Sequence, residues 1–549
     1  MGHPPAMTTS DDGAARRAAP AGDYDVVVIG SGIGGLVSAA LLARLEKKRV
    51  LVLERHYRAG GFTHTFDRPG GFSWDVGVHY VGAEVLTPGV PRDAFQVASG
   101  GALAWTRMPD PFERLEFPGF TFDVRAGREN FVADLTRAFP AEARAIRAWL
   151  ADVDRAAGLL PLQVMRAAVP GPLRWALDAA TSGRARLANM RTSDYLARRF
   201  RDPRLRAIVG ARWGDHGLPP GESAFLAHAV ITRHYLEGAV FPVGSAGRIF
   251  ETMSKVITAA GGAVRVRAEV ERILLQGDRA VGVRLKGGEE LRAAHVISDA
   301  GARNTYLKLL PEDAPVPFRT ALAAQPSGCA MVTLYLGLSE SAATLGVKGE
   351  NLWVHRGLDH DAAWAARGRV VDGEIDVAYA SFPSLKDPEA TAHTAEIIAV
   401  VDAASFQRWG GTRWMKRGED YDAMKAHVSD ALLAHLEQRL PGLRRLVVHR
   451  ELSTPLSSAH FTNHPGGEVY GLPWTPGALR HPWRSARTPV RGLHLAGADA
   501  VFLGVVGSAV GGVAAAARVA GPGLMVKLSR AAAALGAPAA SGLAPEWAA

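Results

Sequence analysis

The segment Asp25–Arg55, DVVVIGSGIGGLVSAALLARLEKKRVLVLER, constrains this chain more than any other. Val26–Ile29 is apolar throughout, the mark of a parallel strand buried on both faces. Gly30-Ser31-Gly32-Ile33-Gly34-Gly35 follows at once, and Leu36–Leu45 has the small and apolar residues of a packed helix. Arg49–Leu53 reads as a second strand, ending on Glu54. Each glycine meets a geometric need. Gly30 makes the tight turn, Gly32 lets backbone approach a pyrophosphate, and Gly35 lets the helix pack close to the sheet. The helix N-terminus adds free N–H groups and a partial positive charge. Glu54 is placed to accept hydrogen bonds from a ribose. The fold class expected is α/β, with a Rossmann-type dinucleotide-binding domain.

The residues around this unit favour FAD. A carboxylate at the strand end repels the 2′-phosphate of NADP. Arg55 and the pair Gly60-Gly61 follow it, and two adjacent glycines allow a second close approach of backbone to the cofactor. Near the C-terminus, LHLAGADAVFLGVVGSAVGG reads as strand, glycine turn and small-residue helix. Gly497 turns the chain there, and Asp499 is placed to bond a ribityl or phosphate-linked hydroxyl. Gly504, Gly507, Gly511 and Gly512 let the helix N-terminus, with Val505 and Val506, crowd against a flat ring. That would favour negative charge at the pyrimidine end of a flavin. Ser31, Gly34 and Val270 complete the expected FAD contacts. No second GxGxxG follows a strand, so a separate nicotinamide domain is not expected. Electrons would then pass to or from an external carrier, a quinone or another reduced carrier.

Composition narrows the class. A chain of 549 residues accommodates two or three domains or one large composite one. The single cysteine, Cys329, excludes an internal disulfide and a cysteine metal cluster. No apolar run is long enough to span a bilayer. Residues 1–22 lack the apolar core of a secretory signal. A cytoplasmic protein is expected, with peripheral membrane attachment as its variant. The net charge of +9 is concentrated: residues 141–212 hold 14 arginines and 6 acids. These arginines alternate with Trp, Leu and Met in helical patterns. The pattern suits either a cap lying on an anionic membrane surface or a solvated helical cap. Nucleic acid is not an expected partner, because aromatic interleaving of the basic residues is sparse.

The layout is interrupted. Tails are expected at 1–22 and 523–549. The FAD-binding domain is assembled from 23–85, 244–310 and 486–522. Residues 86–243 form a substrate and cap region with a helical, membrane-facing insertion, and 311–485 form a mixed-sheet substrate domain.

The order of motifs resembles flavin enzymes that act on polyene lipids: phytoene desaturases, carotenoid isomerases and, in most detail, retinol saturases. VVVIGSGIGGL, DVGVHYVG at 75–82, SAFLAHAVITRHYLEGAVFPVG at 223–244, SDAGARNTYLKLLP at 298–311, SFPSLKDP at 381–388 and TPLSSAHF at 454–461 carry the likeness. Phe62-Thr63 depart from it, standing where the family has paired cysteines. The resemblance implies a flavin amine-oxidase-like architecture and redox chemistry at a polyene. One end of a conjugated double bond would take hydride from flavin N5 and an acid would protonate the other. It thus implies a saturase, or a desaturase or cis–trans isomerase on the same scaffold; a flavin- or lipid-binding protein without turnover is the alternative of another class. His79 and Tyr80 are the candidate acids, with His216 and Tyr470 behind them. His216, His228 and His234 lack metal-site spacing, so no metal is expected. Trp213, Phe225, Tyr235 and Phe241 suit either a tunnel wall or plain core.

Overall fold

The computed structural model describes residues 24–166 and 171–542. The N-terminal tail and part of the arginine-rich segment lie outside the described residues.

Five parallel strands build the first sheet. They are β1 (Tyr24–Ile29), β2 (Val50–Leu53), β3 (Ala263–Arg265), the C-terminal half of β6 (Glu290–Ser298) and β7 (Leu493–Leu495), in the order β3-β2-β1-β6-β7. Val26 pairs with Val50 on one side and with His295 on the other. The N-terminal half of β6 leaves this sheet as the last strand of an antiparallel meander with β4 (Val270–Gln276) and β5 (Arg279–Leu285). Helix α1 (Ile33–Glu46) is buried along Ile33–Ala43. It is apolar on every side because every side meets protein. Across it lies α2 (Gly504–Ala520). A Cβ on Gly512 would stand 2.4 Å from the Gly34 carbonyl oxygen, and one on Gly511 would stand 2.3 Å from that of Gly497. Sequence reading assigned these two glycines to a flat ring. They serve the packing of helix on helix and turn instead.

The second sheet runs 447–453, 330–338, 393–401, 377–381, 351–355, 113–117, 120–124. All its pairings are antiparallel except that of 351–355 with 113–117. Alternation places Met331, Thr333, Tyr335, Trp353, Tyr379, Ile398 and Val400 on one face, which looks onto the cofactor side of the molecule. Short helices between Arg128 and His234 cap the far end.

One expectation changes. Residues after 522 were expected to form a tail, but Leu524–Leu535 is a helix whose Leu524, Leu528 and Ala532 are buried against the helix Val90–Ala98. Beyond it Ala540–Ser541 pairs with Trp105–Arg107. Its apolar residues recur at fourfold spacing, a signal hidden by the alanine-rich composition. Phe225 and Phe241 are fully buried core and line neither cavity.

Candidate active site

Two cavities meet at one point. The first runs from Glu54 and Arg55, under the glycine loop, to Gly504 and the inner face of the second sheet. The second runs from there between the cap helices and the start of α2. Gly77, His79, Tyr80, Asp215, Tyr470, Gly504 and Val505 belong to both walls.

The glycine loop is a cradle without room for side chains. Gly30 has φ +93° and passes Asp299 at the end of β6. A Cβ on Gly34 would lie 2.4 Å from the Gly497 backbone nitrogen, and one on Gly35 would lie 2.4 Å from the Gly30 carbonyl oxygen. Gly61 comes so near that its Cβ would stand 2.8 Å from Gly32 Cα. Backbone N–H groups are therefore free to approach a diphosphate closely.

Glu54 is held from behind. Ser31 donates to its Oε2 through the hydroxyl (2.6 Å) and the backbone N–H (3.0 Å), and His56 N donates to Oε1 (2.8 Å). Carboxylate oxygens have further lone pairs, so Glu54 stays able to accept from a ribose. Ser31, Gly35, Gly60 and Gly497 stand just behind the cavity lining, and Ser31 Oγ also accepts from Gly60 N (2.9 Å). Gly30, Gly32, Gly34, Gly61, Glu54, Arg55, Val270, Asp499 and Val505 line the first cavity, and Val506 lines the second. Asp499 lines the cavity, and its two oxygens accept from Leu472 N and Ala302 N, each at 2.8 Å, which ties two loops to the wall and leaves lone pairs for a further donor.

Sequence reading missed Asp299. It lies under Gly30, Gly32 and Gly34, and burial pushes its carboxyl up to about 7, against a hydrogen bond from the Gly35 backbone. Its signal was the acid closing a parallel strand just before Gly301.

At the junction, His79 Nδ1 stands 2.7 Å from Glu396 Oε2. Glu396 is fully buried on the second sheet, and so is Lys386, whose ammonium donates to the His79 carbonyl (2.9 Å), to Asn351 and to Ser381. Burial lowers Lys386 to about 7, opposed by the charges of Glu396 and Asp75. The Tyr80 ring stacks on Tyr235 at 4.4 Å. Its oxygen lies 2.9 Å from both Glu113 Oε1 and Asp215 Oδ2. Arg212 Nε (2.8 Å) and Trp353 Nε1 (2.8 Å) also donate to Glu113.

The remaining candidates separate. Tyr470 lines both cavities, Trp213 the first and Tyr235 the second. His216 is buried off the walls, and burial lowers it to about 3. His228 accepts from Trp149 Nε1, and His234 is fixed between Glu84 and the Gly82 N–H. Among the described residues no cluster suited to a metal is found.

This combination of a dinucleotide cradle, an inserted mixed-sheet domain and a greasy cavity where they meet defines a flavin-oxidase-type oxidoreductase. A family described as NAD(P)-binding Rossmann-like domain matches residues 28–85. In fold the chain is similar to putrescine oxidase, with a TM-score of 0.62 at 15% identity over 91% of this chain and 99% of that one. It is 32% identical over 517 residues to all-trans-retinol 13,14-reductase of Danio rerio, covering 89% of this chain and 84% of the relative. It is 28% identical over 539 residues to prolycopene isomerase 1 of an Oncidium hybrid cultivar, covering 94% and 88%. The chain belongs to the all-trans-retinol 13,14-reductase family.

Proposed function

We propose that this protein is an FAD-dependent oxidoreductase that saturates a conjugated double bond of a retinoid- or carotenoid-like polyene. The observation that carries the reading is the meeting of the dinucleotide cradle with an apolar cavity at His79 and Tyr80. FAD fits the residues present. Glycines 30, 32, 34 and 61 let the loop close onto Asp299, the Gly497 turn and Gly32 so that backbone lines the cavity, Glu54 keeps acceptor capacity for the ribose, and Val505 and Val506 open α2 beside the junction. Bound there, FAD would supply hydride transfer.

The chain's own residues do the rest. Trp353, Tyr379, Ile398 and Val400 form a largely apolar wall that orients the polyene and excludes water. His79, whose Nδ1 stands 2.7 Å from Glu396 Oε2, and Tyr80, hydrogen-bonded to Asp215, are the candidate acids beside that wall. An external carrier in its reduced form, a quinol or another reduced carrier, supplies electrons.

An anionic membrane surface is the proposed source of substrate. Exposed Arg186, Arg487, Arg518 and Met525 ring the outer part of the second cavity, which supports this. Other cap arginines are spent on acids, as Arg128 is on Asp154 and Arg199 on Asp152. Among the described residues no helix is long and apolar enough to cross a membrane. A cis–trans isomerase is the second reading, favoured by the likeness to prolycopene isomerase. Product mass from anaerobic incubation of the reduced holoenzyme with all-trans-retinol separates the two: a gain of two hydrogens marks a saturase, unchanged mass with a new retention time an isomerase.

A further inference from the structure

We propose that Asp215 is the proton source for polyene reduction, held as the neutral acid where the two cavities meet and coupled to Tyr80. The proposal rests on the polyene reading above and assigns the acid of that same site.

Asp215 closes the turn Ala211–Asp215, which leads from the cap helices to the cavity junction. It lines both cavities, so it faces the space left for cofactor and the space left for substrate. The geometry then fixes where protons must be. Tyr80 places one hydroxyl oxygen 2.9 Å from Glu113 Oε1 and 2.9 Å from Asp215 Oδ2. A phenol has a single proton to donate. Both contacts are hydrogen bonds only when one of the two carboxyls carries a proton and donates it back to the tyrosine oxygen.

The surroundings choose which. Glu113 is fully buried, and Arg212 brings Nε to 2.8 Å and Nη2 to 2.7 Å from its Oε2 while Trp353 Nε1 donates to Oε1. Both Glu113 oxygens therefore already serve as acceptors. Among the described residues no cation pairs with Asp215. The extra proton therefore belongs to Asp215. Burial, then the charge of Glu113, pushes it up to about 8, with Arg212 and the Tyr80 hydrogen bond opposing. The other ionisable groups around it are Tyr235, Tyr379 and Tyr470, all shifted upward by burial and by Asp215 itself.

The proton step balances. The O–H bond of Asp215 breaks, directly or by shift through the Tyr80 hydroxyl. A C–H bond forms at one carbon of the double bond, while the hydride completes the other. With bound FAD as the hydride source, the polyene would be reduced and the flavin oxidised, and the aspartate regains its proton from water. A group that is half protonated near pH 8 is well matched to this work at neutral pH.

Infrared difference spectroscopy of the purified FAD-loaded enzyme between pH 6 and pH 10 tests the assignment apart from turnover. A protonated-carboxyl C=O band lost above about pH 8, absent from Asp215→Asn and shifted to lower pH in Glu113→Gln, is the expected result. The same band persisting in Asp215→Asn would overturn it. In turnover, Asp215→Asn should slow product formation roughly 10²–10⁴-fold with FAD still bound. A wild-type rate with the alkaline limb intact would also overturn it. Failure of the wild-type enzyme to reduce any polyene, with the infrared result as expected, would remove the polyene reading and leave the proton on Asp215.

Discussion

His79 and Glu396 stand 2.7 Å apart across two domains, one on the segment that follows the glycine cradle and one in the middle of the second sheet. Glu396 is fully buried, with His79 against one carboxylate oxygen and the buried ammonium of Lys386 nearby. Removing one partner of such a buried pair leaves the other uncompensated. His79→Gln is expected to slow turnover roughly 10²–10⁴-fold while the visible spectrum of bound flavin is kept. Stopped-flow rates on the flavin-loaded variant check this, and a wild-type rate would remove His79 as a proton-bearing group.

The glycine cradle gives a sharper expectation. Gly34→Ala places a methyl 2.4 Å from the Gly497 backbone nitrogen, where neither α1 nor the turn can yield without moving the sheet. Overpacking of this kind costs about 1–3 kcal/mol or more. The variant should emerge from purification colourless, with a lower melting temperature. Retention of stoichiometric flavin at the wild-type melting temperature would contradict the close packing of the cradle on the Gly497 turn.

Asp299 sets a pH dependence for cofactor binding. Its carboxyl titrates at about 7 and lies directly under the glycine loop. Below that pH it is neutral; above it, a negative charge faces the diphosphate. FAD affinity of the apoprotein should therefore weaken as pH rises through about 7. Asp299→Asn should flatten the curve. Fluorescence titration at pH 6 and pH 9 reads both, and an equal fall in affinity for wild type and variant would contradict the argument.

The C-terminal helix Leu524–Leu535 buries Leu528 and packs on Val90–Ala98. Leu528→Ala should cost about 2–5 kcal/mol of stability by leaving a cavity. Chemical denaturation measures it. A change near zero would return this segment to the tail that its composition suggested.

How far the sequence speaks depends on distance along the chain. The cradle was legible because Val26, Gly30, Gly32, Gly35 and Glu54 lie in one short run, where each residue type answers a local backbone need. The proton network was not. Tyr80, Glu113, Asp215 and Trp353 come from four separated segments, and no periodicity ties an acid in a helical cap to a tyrosine beyond the first sheet. Lys386 and Glu396 likewise read as ordinary charges until the fold buries them against His79. Gly511 and Gly512 show the converse case: their need for space was visible, but the object they approach was α1 rather than a ligand.

The central claim is that this site saturates a polyene. The most direct measurement is the mass of the product formed when the FAD-loaded enzyme, chemically reduced and kept anaerobic, is mixed with all-trans-retinol. The account predicts a product heavier by two hydrogens, with flavin oxidised in equal amount. Retinol recovered at unchanged mass, with the flavin still reduced, would contradict it.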